Sequence, residues 1–299
     1  MIEANKEHKQ RKKLEDESQL QDCLSKQSSL GKKVITRASE TGAWLSATPN
    51  TLAGTELGKD EWRDSACCRY NMRPESIPKY CDGCGKEASI DHILNCRVGG
   101  LIICRHNELK DELIDIGIKA FGLNSIRDEP LTNPNSDGNN QEAQTNNHNN
   151  NNRADIMMRG LWERGTDGLI DVQIVNTDST AHRNRTSEAV KTAERSKKKK
   201  HLAHCQQQRR YFTPSVVSTD GLLGDEANAM VKRLATVLSQ QWEKAYSRIC
   251  GQFRSRIGIA IVRATQRCLR GSRIPRESMS TPHKHLTWDD APSLHLSKW

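Results

Sequence analysis

The chain has 299 residues and a net charge of +9, with 34% hydrophobic, 4% aromatic and 28% charged residues. Such a composition predicts one modest core with polar appendages rather than a uniformly globular chain. The absence of an apolar run of about 18 residues argues against a membrane partner, and the charged opening is unlike a signal peptide; we therefore expect an intracellular protein whose ten cysteines are metal ligands or buried thiols.

The first two segments are polar. Residues 1–40 form a charged N-terminal extension whose sparse apolar positions, such as Leu14, Leu20 and Leu24, allow a docking helix but no core of its own. Residues 41–80 are predicted to be a helical connector.

A cluster of cysteine and histidine follows in 81–104. Cys81 and Cys84 are two residues apart in a glycine-containing turn, a spacing with which two thiolates grip one ion. His92 and Cys96 are four apart and project from one face if the residues between them form a helical turn. The pattern Cys-x2-Cys-x7-His-x3-Cys provides four ligands and no open position, which predicts a structural zinc.

Two other interpretations of this cluster stay open. Cys104 and His106 are alternative ligands if the fourth position is different. The cysteines can also be unrelated free thiols beside a surface histidine. Cys67 and Cys68 are adjacent and poorly placed to chelate together, so they are predicted to be packing residues.

Residues 105–273 are predicted to form one α/β or α+β domain, because strands and helices interleave along them. The Asn-rich segment 133–152 has ten Asn among twenty residues and is predicted to be a disordered loop, as is the tail 274–299. Strands are expected at 125–131, 154–159, 169–175 and 211–219, and helices at 105–121, 184–208, 224–246 and 248–270.

Two aspartates lie on the strands behind the Asn-rich segment. Strand alternation puts Asp171 and Gln173 on one face. The midpoint between Asp155 and Asp171 is Glu163, so a hairpin centred there places the two carboxylates opposite each other, about 5 Å apart at Cβ. Such a pair can hold Mg²⁺ for phosphodiester hydrolysis. From spacing alone, however, an Asp at a strand end is more often a turn or capping residue.

The positive charge is concentrated in two blocks. Residues 183–210 contain ten Lys or Arg against two Glu, and residues 248–276 contain eight Arg and no acid. Two such blocks are typical of a surface that binds nucleic acid. Taken alone, the run Lys197–Lys200 is equally consistent with a solvated helix face or a nuclear-localisation signal, and we expect a nuclear protein.

Several segments, in order along the chain, resemble the C-terminal region of site-specific non-LTR retrotransposon proteins. In that family a CCHC knuckle precedes a restriction-enzyme-like endonuclease of the PD-(D/E)XK type. The resembling segments cover residues 42–273 and are 42–45, 61–64, the knuckle ending at 91–96, 105–111, 153–156, 160–162, 171–176, 183–184, 212–214 and 268–271.

The resemblance implies a PD-(D/E)XK nuclease core with helical additions that nicks target DNA. Asp155 and Asp171 match the two acidic positions of the family, and Gln173 falls where the general nuclease motif has lysine. A lysine from the following helix is expected to replace it, and Lys198 is the predicted residue. Glu108 is predicted to be an outer magnesium ligand, with a solvated helix face as its alternative. His201 falls where relatives place Tyr.

The predicted nucleic-acid contacts share a positive charge and are Arg105, Arg183, Arg185 and the four lysines 197–200. The chain lacks the aromatic-x-Asp-Asp motif of a polymerase, so the resemblance suggests a truncated or repurposed copy without the reverse transcriptase. Three hypotheses follow: an Mg²⁺-dependent DNA endonuclease with a structural zinc, a decayed, zinc-stabilised module that binds DNA or RNA, or an inert fragment that folds poorly without its former neighbours. None of them requires a small-molecule cofactor, and the sequence leaves the oligomeric state undetermined.

Overall fold

The computed structural model describes residues 2–51, 53–130, 153–179 and 186–274. The predicted Asn-rich loop, the predicted tail after residue 274, and both Arg183 and Arg185 lie outside the described residues.

Within these residues the chain forms eight α-helices and a four-stranded sheet, which confirms the prediction of a mixed α and β fold. The helices are α1 (Ile2–Ser25), α2 (Ser29–Ala38), α3 (Lys59–Arg69), α4 (Ile90–Asn95), α5 (Leu101–Phe121), α6 (Thr186–Gln207), α7 (Asp225–Gln241) and α8 (Tyr246–Arg270). The strands are β1 (Ile126–Asp128), β2 (Ile156–Arg159), β3 (Asp167–Val175) and β4 (Tyr211–Ser218). None of the described helices combines the length and apolar character that crossing a membrane requires.

The sheet is mixed, with the strands in the order β1-β2-β3-β4. The pairs β1–β2 and β2–β3 are antiparallel, whereas β3 and β4 are parallel. A parallel pair needs a long crossover between its strands, and α6 supplies it. The 22-residue basic segment is therefore a connecting helix that lies next to the sheet.

Helices cover both faces of β3. Ile170 and Val172 pack into the core shared with α5, α7 and α8. Leu169 packs against Cys205 of α6, and Val175 against the N-terminal part of the same helix. Because side chains alternate along a strand, Asp171 and Gln173 are directed towards α6, on the face that the sequence predicted.

The largest hydrophobic core lies between the sheet and three helices. In α5, Leu109, Leu113 and Ile116 recur at spacings of four and three and are fully buried. Leu234 of α7 and Phe253 of α8 close the same core. This packing holds α5 against the sheet, which matters for the residues that α5 presents to the strand ends.

The N-terminal extension contains two helices with different roles. The described side chains of α1 are exposed apart from a half-buried Leu24, because its sparse apolar residues form no continuous stripe. The second helix, α2, is anchored by Arg37, whose guanidinium donates to Asp178 (Nη1–Oδ1 3.0 Å) and to Asp220 (Nε–Oδ2 2.5 Å). The side chain of Arg37 is only 8% exposed, so this ion pair attaches α2 to the ends of β3 and β4.

Candidate functional site

Cys81, Cys84, His92 and Cys96 come together as predicted, with their ligand atoms all within 4.8 Å of one another. The Cys96 sulfur lies 3.8 Å from the sulfurs of both Cys81 and Cys84, and His92 Nε2 lies 3.2 Å from the Cys84 sulfur. Two thiolates on one tetrahedral zinc are about 3.8 Å apart, given Zn–S bonds of about 2.3 Å. The four side chains can therefore hold a metal ion such as zinc.

A tight turn prepares the first two ligands. The N–H of Gly85 donates to the Cys81 carbonyl, and Gly85 adopts the left-handed conformation (φ 71°) that glycine tolerates. Burial would raise the pKa of the Cys81 thiol. Hydrogen bonds from the Cys84 backbone, from His92 and from the Gly83 backbone outweigh burial and lower the pKa to about 6. The turn thus favours the thiolate, which is the form that binds metal.

Helix α4 provides the other two ligands. Ser89 caps it, its hydroxyl accepting a hydrogen bond from the N–H of His92 at 3.0 Å. Cys96 follows the last residue of α4 directly. The alternative ligands are excluded by position, since Cys104 is exposed and His106 contacts Asp155 instead.

Two buried arginines attach the cysteine cluster to the main domain. Arg105 Nη1 donates to the carbonyl of Leu94 at 3.1 Å, and Arg273 Nη2 donates to the carbonyl of Ile93 at 3.0 Å. Both carbonyls lie in the last turn of α4, where helix carbonyls lack partners within the helix. Arg105 is only 3% exposed. Its predicted contact with nucleic acid is therefore wrong: the side chain is a structural link between α4 and α5.

The two aspartates meet where β2 begins. The ladder ends with Ile156 opposite Ile170, and one residue further Asp155 and Asp171 adjoin, as the hairpin midpoint predicted. Asp155 Oδ2 accepts a hydrogen bond from the N–H of Val172 at 2.6 Å, and the two carboxyl groups are close enough for each to shift the pKa of the other. The side chain of Asp171 is 12% exposed and that of Asp155 is 23% exposed. The pair is thus partly open to solvent on the Asp155 side.

Each carboxylate also has a cationic neighbour. His106 of α5 places Nε2 3.2 Å from Asp155 Oδ2, and Lys197 of α6 places Nζ 2.7 Å from Asp171 Oδ1. His201 Nε2 lies 3.7 Å from the other oxygen of Asp171, one helical turn beyond Lys197. The acidic pair is therefore enclosed by basic groups from two different helices.

These contacts separate the pKa values of the two aspartates. Burial alone would raise the pKa of Asp155, but the hydrogen bond and charge of His106 lower it below its ordinary value. Burial raises the pKa of Asp171, and the nearby Asp155 adds to this, more than Lys197 lowers it. The pKa of His106 is raised, because its bond to Asp155 outweighs the effect of burial. Asp155 is therefore the more acidic of the two carboxyl groups.

The structure corrects the predicted lysine. Lys198 pairs with Glu226 at the start of α7, whereas its neighbour Lys197 contacts Asp171. Consecutive helical residues point about 100° apart, so only one of them faces the acidic pair. The residue beside the acidic pair is therefore Lys197, on the predicted helix, and not the predicted Lys198.

The predicted magnesium ligand Glu108 also lies elsewhere. Its carboxylate forms an ion pair with Arg267 of α8, and the distance between Arg267 Nη1 and Glu108 Oε2 is 2.8 Å. His106, two residues earlier and about 200° around α5, takes the place beside Asp155. The sequence carried a signal for this, because His106 precedes the buried Leu109 by three residues and so shares its face of the helix.

The second basic block is largely neutralised within the fold. Five arginines of residues 248–274 make ion pairs with carboxylates elsewhere in the chain: Arg256 with Glu112 and Asp115, Arg263 with Glu61, Arg267 with Glu108, Arg270 with Asp64, and Arg273 with Asp82. Residues 248–276 were predicted to bind nucleic acid together with residues 183–210. In the structure these arginines fasten α8 to α3, α5 and the cysteine cluster instead.

The first basic block remains more exposed. Lys199 and Lys200 are exposed on α6, as are Lys191 and Arg195. Gln173, the residue at the general lysine position, is half-buried and lies near Lys197 and Lys200 along one groove. The positive surface of the described chain that adjoins the acidic pair is therefore on α6.

No protein-family model matches this chain, and no curated protein is significantly similar to it in sequence.

Proposed function

We propose that this chain is a retrotransposon-derived, Mg²⁺-dependent DNA endonuclease domain that nicks DNA by metal-assisted hydrolysis of a phosphodiester. One observation carries the proposal: Asp155 and Asp171 adjoin on neighbouring strands, with the ammonium group of Lys197 2.7 Å from Asp171. Two carboxylates and a lysine at one partly open point are the groups that metal-assisted phosphodiester cleavage requires.

The residues present fit a divalent cation. Two adjoining carboxylates repel each other unless a proton or cation lies between them, and the raised pKa of Asp171 reflects this repulsion together with burial. Asp155 and Asp171 would hold the ion, with oxygen ligands of the type that Mg²⁺ prefers. The bound ion would polarise the phosphate and lower the pKa of the attacking water.

The protein side chains around the ion have separate tasks in this proposal. The N–H of Val172 and the ring of His106 orient the Asp155 carboxylate by hydrogen bonds to Oδ2. The ammonium group of Lys197, next to Asp171, would stabilise the negative charge of the transition state. Gln173 lies on the same face of β3 and offers a neutral amide to the substrate.

The resemblance to the retrotransposon nucleases supports the same proposal at the level of fold. A mixed sheet with helices on both faces, preceded by a metal-binding cysteine cluster, agrees with a PD-(D/E)XK core behind a CCHC knuckle. In this proposal zinc is structural, since its four ligands leave no open coordination position. DNA is the expected partner and the nucleus the expected location.

A second candidate is a module that binds DNA or RNA after its catalytic activity has decayed. It is favoured by Gln173, which is uncharged at the general lysine position. His201 also favours this alternative, because burial and the charge of Lys200 lower its pKa and it therefore adds little positive charge to the site. In this alternative the ion pairs at Asp155 and Asp171 are structural and the acidic pair holds no metal.

A nicking assay on supercoiled plasmid distinguishes the two candidates. The wild type and Asp155→Asn are incubated with and without Mg²⁺, and the open circular product is measured. The endonuclease converts plasmid only with Mg²⁺ and only with Asp155 intact. Plasmid binding without nicking above the Asp155→Asn background would support the decayed binder.

A further inference from the structure

Strand β3 continues well past the end of its neighbour. Its pairing with β2 stops at Ile170 opposite Ile156, whereas β3 itself runs to Val175. Within the part of the chain that the structure describes, no strand pairs with residues 173–175 on that side. From Gln173 to Val175 this edge without a partner strand is about 7 Å long, at about 3.3 Å per residue. The acidic pair lies at one end of it.

A groove of about 340 Å³ follows this edge between β3 and α6. Its floor is formed by Gln173 and Val175. Its wall is one face of α6, where two small side chains, Ala193 and Ser196, are followed at helical spacing by two cationic ones, Lys197 and Lys200. Because Lys197 also contacts Asp171, the groove leads directly to the acidic pair.

The polar groups in this groove suit a polyanion. Two ammonium groups, the hydroxyls of Thr192 and Ser196 and an amide are hydrogen-bond donors, and no carboxylate is among the described lining residues. The small side chains of α6 leave room for a chain of phosphates to approach the lysines. A larger groove of about 600 Å³ between α5 and α8 presents carboxylates that the β3–α6 groove lacks: its charged lining residues are Glu108, Asp111, Glu112 and Asp115 together with Lys119, Arg256 and Arg263. A polyanion is therefore directed to the β3–α6 groove.

We propose that the groove between β3 and α6 binds the sugar–phosphate backbone of one DNA strand, next to the phosphate presented to Asp155 and Asp171. This inference rests on the proposed nuclease function, because that function defines which phosphate lies at the acidic pair. Lys200 and Ser196 contact phosphates outside the reacting one and so set the position of the strand. Recognition through phosphates carries no base sequence.

The test compares two adjacent lysines of α6. Lys200→Ala and Lys199→Ala remove the same charge from two exposed positions about 100° apart, and only Lys200 lines the groove. Binding of a fluorescent DNA oligonucleotide is measured without Mg²⁺ over a series of salt concentrations. For Lys200→Ala we expect weaker binding and a slope of log K against log salt that is smaller by about 0.9, the loss of one phosphate contact. Lys199→Ala should change the slope less than Lys200→Ala does, because Lys199 lies outside the groove.

Equal slopes for the two variants, or a larger change for Lys199→Ala, overturn the proposal. Ser196→Glu gives a second measurement, because a carboxylate in the groove should weaken binding while glutamate is a good helix former. If Lys200→Ala weakens DNA binding as expected but the wild type never nicks plasmid, the nuclease function is overturned and the proposed DNA-binding groove stands. Nicking that depends on Asp155, together with DNA binding that Lys200→Ala does not change, would overturn the binding groove and leave the nuclease function.

Discussion

The Lys197 ammonium lies 2.7 Å from Oδ1 of Asp171, across the space between α6 and β3. Its neighbour Lys198 instead pairs with Glu226 of α7. The two lysines have the same charge and nearly the same position in sequence, so their different partners make them a matched pair for testing the site.

Lys197→Ala is expected to lower the Mg²⁺-dependent nicking rate by about 10²-fold, the usual cost of losing one group that stabilises charge in a transition state. Lys198→Ala should keep most of the activity, because its partly exposed pair with Glu226 contributes about 1 kcal/mol or less to stability. Plasmid nicking rates at saturating DNA measure both. Equal losses of nicking rate in the two variants would contradict a specific role for Lys197 and would show that only the total charge of residues 197–200 matters.

Asp155→Asn and Asp171→Asn should each abolish nicking, because each removes one anionic ligand for the metal ion. Both also remove negative charge near a polyanion, so DNA affinity should be unchanged or slightly higher. Oligonucleotide binding and plasmid nicking at one salt concentration give the comparison. A loss of DNA affinity in parallel with activity would mean that the two carboxylates shape the binding surface rather than hold metal.

The purified protein should contain one zinc ion, and Cys84→Ser should lose it because three ligands hold zinc more weakly than four. Cys104→Ser is the matched control, since Cys104 is an exposed cysteine outside the cluster. Elemental analysis after dialysis measures the metal content. Equal zinc content in wild type and Cys84→Ser would contradict the ligand assignment.

Arg105→Ala is expected to lower the free energy of unfolding by about 1–3 kcal/mol, because it leaves the buried Leu94 carbonyl without its donor. Its effect on the salt dependence of DNA binding should be negligible, since the side chain is buried. Urea denaturation and oligonucleotide binding test the two statements. A DNA-binding defect in a variant of unchanged stability would restore the original prediction that Arg105 contacts nucleic acid.

Arg270→Ala should be the most destabilising change in the second basic block. Arg270 donates to both oxygens of Asp64 at 2.7 and 2.8 Å, and the side chain of Asp64 is fully buried. An uncompensated buried charge costs about 3–5 kcal/mol; we expect the lower end, because Arg63 remains 3.7 Å from the carboxylate. Arg254→Ala, which loses an exposed bond to Asn228, is the control in urea denaturation. Equal midpoints would contradict the structural role of Arg270.

Short-range patterns were sufficient for several features. The spacing of Cys81, Cys84, His92 and Cys96 predicted a metal cluster, because ligands within one turn and one short helix meet through local backbone geometry alone. The alternation in β3 and the hairpin midpoint placed Asp155 beside Asp171 for the same reason. A hairpin register depends on residues close in sequence.

Contacts between distant segments were decided only by the tertiary structure. The arginines of residues 248–274 looked like a free polycationic surface, yet their partners lie as far away as Asp64, about two hundred residues earlier in the chain. The choice of Lys197 over Lys198, and of His106 over Glu108, depends on the rotation of each helix about its axis. That rotation is set by how Leu109, Leu113 and the rest of the core pack together, because burying the apolar face fixes where every other side chain of the helix points.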